Sequence, residues 1–69
     1  MNDRIISDIN ICGGEPCIRD SRIPARVVLS HLAAGESHAE ILRQFPNLTE
    51  TDIRATLEYA AFLASERAA

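Results

Sequence analysis

Lysine is absent from this chain, so all seven basic residues are arginines. Aromatic residues are scarce as well, at 4% of the 69 positions against 46% hydrophobic residues overall. Any core must therefore be built from Ala, Ile and Leu, which points to a compact helical domain. No apolar run approaches the ~20 residues that a membrane-spanning helix requires. The polar start Met1-Asn2-Asp3-Arg4 has no apolar leader stretch, and the expected compartment is the cytoplasm. No repeat, linker or low-complexity segment interrupts the chain, so one domain over 1–69 is expected. No nucleophile or carboxylate pair stands in a recognisable pattern with His31 or His38. The expectation is a chain without catalytic residues, bound metal or cofactor, in which both histidines are surface or boundary residues.

A domain this small rarely supplies more than roughly 3 to 5 kcal/mol of net stability by itself. Further burial has to come from a disulfide, a metal or a second chain. Charge is unevenly placed. Residues 1–31 hold Arg4, Arg19, Arg22 and Arg26 against Asp3, Asp8, Glu15 and Asp20, whereas residues 32–69 hold three arginines against six carboxylates. The second half thus carries the whole net charge of −3. An acidic half repels phosphate and suits a basic partner surface.

Arg4-Ile5-Ile6-Ser7 and Cys17-Ile18-Arg19 read as two brief extended runs separated by turn residues, a small two-strand ribbon over 1–23. A three-helix bundle is expected over 24–69. Pro24 suits a first helical position; Val28 with Leu32 and Leu29 with Ala33 recur four apart, and Gly35 stops the first helix. Ser37-His38-Ala39-Glu40 is a capping box that launches Ile41 and Leu42, and Pro46 ends the second helix. Thr49-Glu50-Thr51-Asp52 puts a cap hydroxyl and an acidic first turn before the third and longest helix. Its expected core stripe is Ile53, Leu57, Ala60, Ala61 and Ala64. Three helices with a short turn, Phe45 to Leu48, between the last two match the outline of a helix-turn-helix.

The stretch Ile11 to Pro24, ICGGEPCIRDSRIP, concentrates two cysteines, two glycines, two prolines and two arginines. Cys12, Cys17, His31 and His38 come near the spacing of a zinc finger, but Gly35 and the Ser37 cap put the two histidines on different elements. A thiol-redox role has Arg19 near Cys17 in its favour, and a disulfide across the Gly-Gly turn is sterically open. The simpler reading is architectural. Gly13 and Gly14 permit positive φ, the prolines fix it, and Cys17, Ile18 and Ile23 cover the bundle.

The same stretch, followed by LAAGESHAEILRQFPNLTETDIRATLEYA, resembles the domain of unknown function family 433, small bacterial proteins with the pattern Cys-Gly-Gly-x-Pro-Cys-Ile-Arg-Gly-Thr-Arg-Ile-Pro. Nearly the whole chain is covered. Here Glu15 stands where relatives often carry Lys, and Asp20-Ser21 replaces Gly-Thr, so this ribbon is less basic. The resemblance implies a mainly α fold, a short N-terminal β-ribbon before a homeodomain-like three-helix bundle. It also implies an antitoxin of a toxin-antitoxin module, whose partner is a toxin of the PIN-like nuclease fold.

On the third helix a second apolar face, Ala55, Tyr59, Phe62 and Leu63, projects roughly opposite the expected core stripe. One helix cannot bury both faces in one small bundle, so this face is expected to serve a homodimer or the toxin. The chain ends at Ala69 soon after this helix, so the inhibitory surface is expected on the folded domain. Glu50, Asp52, Glu58 and Glu66 give it a sign complementary to a nuclease groove. Arg19, Arg22 and Arg26 are the candidate contacts to promoter DNA, with Glu15 and Asp20 interleaved as neutralising partners. Two other classes stay open: a stand-alone helix-turn-helix transcription regulator, and a zinc or thiol module built on Cys12 and Cys17.

Overall fold

The computed structural model describes residues 2–66. Strand β1 (Ile5–Ile6), β2 (Cys17–Ile18) and β3 (Ile23–Pro24) precede helices α1 (Ala25–Ala33), α2 (His38–Gln44) and α3 (Glu50–Glu66). The strands form one antiparallel sheet in the order β1-β2-β3, with Ile5 opposite Ile18, and Ile18 opposite Ile23.

The ribbon therefore has three strands where two were expected. Pro24 is the reason for both the extra strand and a shifted helix start. It sits in extended backbone (φ −62°, ψ 143°) as the residue before α1, paired with Cys17 at the sheet edge. Proline cannot donate to a ladder, and an edge position asks nothing of its missing N–H. The helix begins one residue later, at Ala25.

The remaining helix ends follow local chemistry. Gly35 (φ +90°) takes the left-handed turn after α1, with its N–H donating to the Leu32 carbonyl (3.0 Å) and that of Glu36 to the His31 carbonyl (3.1 Å). This pair of bonds satisfies carbonyls that the helix end orphans. Ser37 Oγ accepts from the Glu40 amide (3.1 Å). The reciprocal half of that box is not made, because the Glu40 carboxylate receives Arg43 and Gln44 instead. At α3 the box is complete: the Asp52 amide donates to Thr49 Oγ1 (3.2 Å), and the Thr49 amide donates to Asp52 Oδ2 (3.0 Å).

The core lies where sheet and helices meet. Ile5, Ile18, Val28, Ile41, Leu48, Ile53 and Ala55 are buried together, with Ile23, Leu32, Leu42, Phe45 and Tyr59 packed against them. Each helix touches the other two. Among the described residues no helix is long and apolar enough to cross a membrane.

The buried face of α3 differs from the expected stripe. Asp52, Ile53, Ala55 and Thr56 are buried, while Leu57, Ala61 and Ala64 are exposed. The helix is rotated by about a quarter turn relative to the apolar-periodicity reading, at ~100° per residue. Two polar residues take core positions because each has an internal partner. Thr56 Oγ1 donates to the Asp52 carbonyl (2.9 Å), and Asp52 accepts Arg4 Nε (2.7 Å).

Candidate interaction surfaces

Two surfaces carry the residues singled out by sequence. The first is the outer half of α3. After Thr56 the helix runs past the body, and Leu57 (41%), Phe62 (44%) and Leu63 (39%) all expose large apolar side chains. The four residues expected to share an interface therefore separate. Phe62 and Leu63 stand exposed. Tyr59 is half-buried and packs on the core, and Ala55 lies inside it at 4% exposure. Leu57, expected in the core, joins the exposed set. The apolar surface thus wraps around the helix end, interrupted by exposed Arg54, Glu58, Ser65 and Glu66.

The acidic residues of α3 also separate. Asp52 is 2% exposed and fully engaged by Arg4 and the Thr49 cap, so it offers no charge to a partner. Its carboxylate, the largest cause, raises the Arg4 guanidinium still further above its ordinary value. Arg4 also donates from Nη2 to the Arg19 carbonyl (3.1 Å), tying β1, the ribbon turn and α3 together. Glu50 accepts His38 Nδ1 (2.7 Å). Glu58 and Glu66 remain as exposed anions flanking the apolar end.

The second surface is the ribbon. An open groove of about 550 Å³ is lined by Arg19 and Arg22, with Asp8, Asp20, Ile6 and Ile11 among its walls. Asp20 (φ 67°) and Arg22 (φ 59°) both hold left-handed backbone, a conformation unfavourable for residues with a Cβ. The turn is held by Ser21, whose Oγ donates to the Ile18 carbonyl (2.8 Å) and accepts the Ile23 amide (2.9 Å). Arg19 Nε donates to the backbone carbonyl of Asp3 (2.6 Å), a neutral acceptor. Arg22 makes no ion pair among the described residues. Arg26 differs: Glu15 neutralises it at 2.8 Å, and it does not line the groove. The three arginines therefore do not form one patch.

The near-finger spacing dissolves in the same geometry. Cys12 and Cys17 are free thiols whose sulfurs stand 2.8 Å apart in the ribbon. His31 is engaged elsewhere, with Nδ1 on Glu36 (2.9 Å) and its ring edge-on to Phe45 at 5.3 Å. His38 bonds Glu50. The Arg4–Asp52 pair escaped the sequence reading altogether. The one available signal was an acid at the third position of α3, which also serves as a cap.

A small three-stranded antiparallel sheet leading into three mutually packed helices defines the class, with Arg4 locking the first strand to the last helix. The chain belongs to the family described as protein of unknown function (DUF433), whose family model matches residues 5–60. It is similar to the crystal structure of a DUF433 member protein from Anabaena variabilis, with a TM-score of 0.83 and 28% identity over 94% of this chain. The chain spans 64% of the length of that relative. No curated protein matches the sequence.

Proposed function

We propose that this chain is an antitoxin of a bacterial type II toxin-antitoxin module, and that it binds and silences a PIN-like nuclease toxin through the outer half of α3. The observation that carries this reading is the exposure of three large apolar side chains, Leu57, Phe62 and Leu63, around the outer half of α3. Large apolar side chains grouped on one surface element mark a protein contact, since burying them in a partner removes them from water. Glu58 and Glu66 are exposed on the same helix. A nuclease that grips RNA carries a basic groove around acidic metal ligands, so these anions would steer the encounter. The class of partner comes from the family resemblance, and the exposed apolar residues of α3 support the choice of surface.

A homodimer competes for the same surface, so toxin and second copy would exclude one another on it. The charge of α3 argues against the stand-alone transcription regulator. In a helix-turn-helix the second of the paired helices enters the major groove with its N-terminal part. Here that part exposes Glu50 against a single Arg54 and buries Asp52, so it offers phosphate no net positive charge. Promoter contact, as an added role, would fall to Arg19 and Arg22 on the ribbon.

The deciding experiment pairs the chain with the product of the adjacent reading frame. Co-purification as a complex, with nuclease activity suppressed, supports the antitoxin. An adjacent product that neither binds nor loses activity rejects it.

A further inference from the structure

We propose that Cys12 and Cys17 are a dithiol modification site: a peroxide oxidises Cys12, and Cys17 then closes an intramolecular disulfide. The pair is independent of α3 and of the surface assigned to the toxin.

The backbone builds the pair. Cys12 (φ 53°), Gly13 (φ 65°) and Gly14 (φ 92°) are three consecutive left-handed residues. They turn the chain back on itself, so that the Cys12 sulfur meets that of Cys17 at 2.8 Å across four intervening residues. A bonded S–S separation is ~2.0 Å, so less than an ångström of closure is required. Left-handed backbone is unfavourable at Cys12, whose Cβ crowds the following carbonyl, and a residue chosen only for the turn would be Gly or Asn.

The two thiols are not equivalent. Cys12 is half-buried and reaches solvent, whereas Cys17 is 0% exposed in the middle strand. Burial, and next the hydrogen bond with Cys12, push the Cys17 thiol up to about 11. Cys17 therefore stays protonated and shielded from an external oxidant, which leaves Cys12 to react first. In the first step the Cys12 thiolate attacks one peroxide oxygen. The O–O bond breaks, giving a sulfenic acid and hydroxide, which takes up the thiol's proton as water. In the second step the Cys17 sulfur attacks the Cys12 sulfur. The S–S bond forms and the S–O bond breaks, and the departing hydroxyl leaves as water with the Cys17 proton. Two thiols and one hydrogen peroxide thus become one disulfide and two waters, a two-electron oxidation.

The change is transmitted to the ribbon surface. In the reduced state Cys12 donates its S–H to the Arg22 carbonyl (3.3 Å). A disulfide has no S–H, so oxidation removes that bond from the left-handed turn that presents Arg22 to the groove.

The test uses the full chain, fully reduced and then exposed to hydrogen peroxide. Intact mass should fall by about 2 Da, the two lost hydrogens. Both thiols should become blind to maleimide after denaturation and return on treatment with dithiothreitol. Nuclear magnetic resonance shifts of Arg22 and Ile23 should move along with those of Cys12. In Cys17→Ala the mass should instead rise by oxygen, with dimedone captured at Cys12. In Cys12→Ala the remaining thiol should oxidise at least tenfold more slowly while folded. Should Cys17→Ala fail to fold by circular dichroism, excess dimedone added to the wild-type chain must trap Cys12 and suppress the disulfide. Overturning results are oxygen gain without hydrogen loss in the wild type, a disulfide joining two chains, or dimedone found on Cys17 rather than Cys12.

Discussion

The two halves of α3 present opposite solutions to one problem, a helix with apolar residues on more than one face. In the inner half, Asp52, Ile53, Ala55 and Thr56 are all buried. Among the described residues no buried side-chain nitrogen or oxygen lacks a partner. In the outer half, Leu57, Phe62 and Leu63 stay exposed although they are more apolar than two of the buried four. Hydrophobicity alone did not select the buried face. What selected it was the reach of the neighbouring elements: β1, α1 and α2 all contact α3, but a 17-residue helix is about 25 Å long and extends beyond them. Polar residues enter a core when partners meet them, and apolar residues stay outside when nothing arrives to cover them.

Truncation should expose this contrast most strongly in the inner half. Ile53→Ala removes a side chain that is 0% exposed and should cost about 2 to 5 kcal/mol, as buried large-to-small substitutions do. That is comparable to the entire stability expected of so small a domain, so thermal denaturation followed by circular dichroism should find the variant largely unfolded. Asp52→Ala should come next, at about 2 to 3 kcal/mol. It strips the Thr49 amide of its acceptor and leaves Arg4, one-third exposed, without its carboxylate. A melting curve superimposable on that of the wild type for either variant would break the distinction between the halves.

The outer half should behave in reverse. Phe62→Ala and Leu63→Ala should each leave the melting temperature nearly unchanged and weaken toxin binding by about 1 to 3 kcal/mol by calorimetry. Tyr59→Ala should do both, because the ring packs on the core. Its effect on binding therefore counts only after correction for the folded fraction. Charge reversal at Glu58 and Glu66 should mainly slow association, with the slowing reduced by salt. Binding unaffected by Phe62→Ala and Leu63→Ala but abolished by changes at Arg19 and Arg22 would transfer the docking surface to the ribbon.

Helix ends were legible in the sequence because each rests on a few adjacent residues: Gly35 as a left-handed stop, and Ser37 and Thr49 as caps. The buried face of α3 was less legible. Apolar periodicity alone offered two faces, and the choice depended on Arg4, 48 positions away, meeting Asp52. The third strand was hidden for a related reason, since Ile23 and Pro24 have no two-residue signature and pair only because the Ser21 turn folds them onto β2. Sequence order placed Arg19, Arg22 and Arg26 within eight positions. It did not show that the last of them turns away to Glu15.

The ribbon sharpens the comparison from the other end of the molecule, because its arginines would contact DNA through charge alone. With Arg19 and Arg22 on each chain of a dimer, about four phosphates are contacted, giving a log-log salt slope near −3.6. Arg22→Ala should flatten that slope by about 1.8, two phosphates, while Arg26→Ala, already neutralised by Glu15, should leave it unchanged. An electrophoretic shift series on the upstream DNA measures both. Equal slopes for the two variants would mean that the Glu15 pair opens on binding.

The smallest effect belongs to the junction between α1 and α2, where pH should separate the wild type from a single variant. The Glu36 carboxylate accepts His31 Nδ1 (2.9 Å) and Gln44 Nε2 (2.6 Å). The His31 bond first, and the Gln44 bond second, hold its pKa below the ordinary carboxylate value. A carboxyl group whose pKa is lower folded than unfolded contributes stability above the unfolded value, ~4.3 for glutamate, and loses it as pH falls through the folded value. Glu36→Gln should therefore melt slightly below the wild type at pH 6, with the gap closing as pH drops under about 4. The gap stays small because the carboxylate is solvated, and salt should narrow it further. Melting temperatures of both chains across that range check the sign. A gap that widens on acidification would mean that the protonated carboxyl is the better partner for His31 and Gln44.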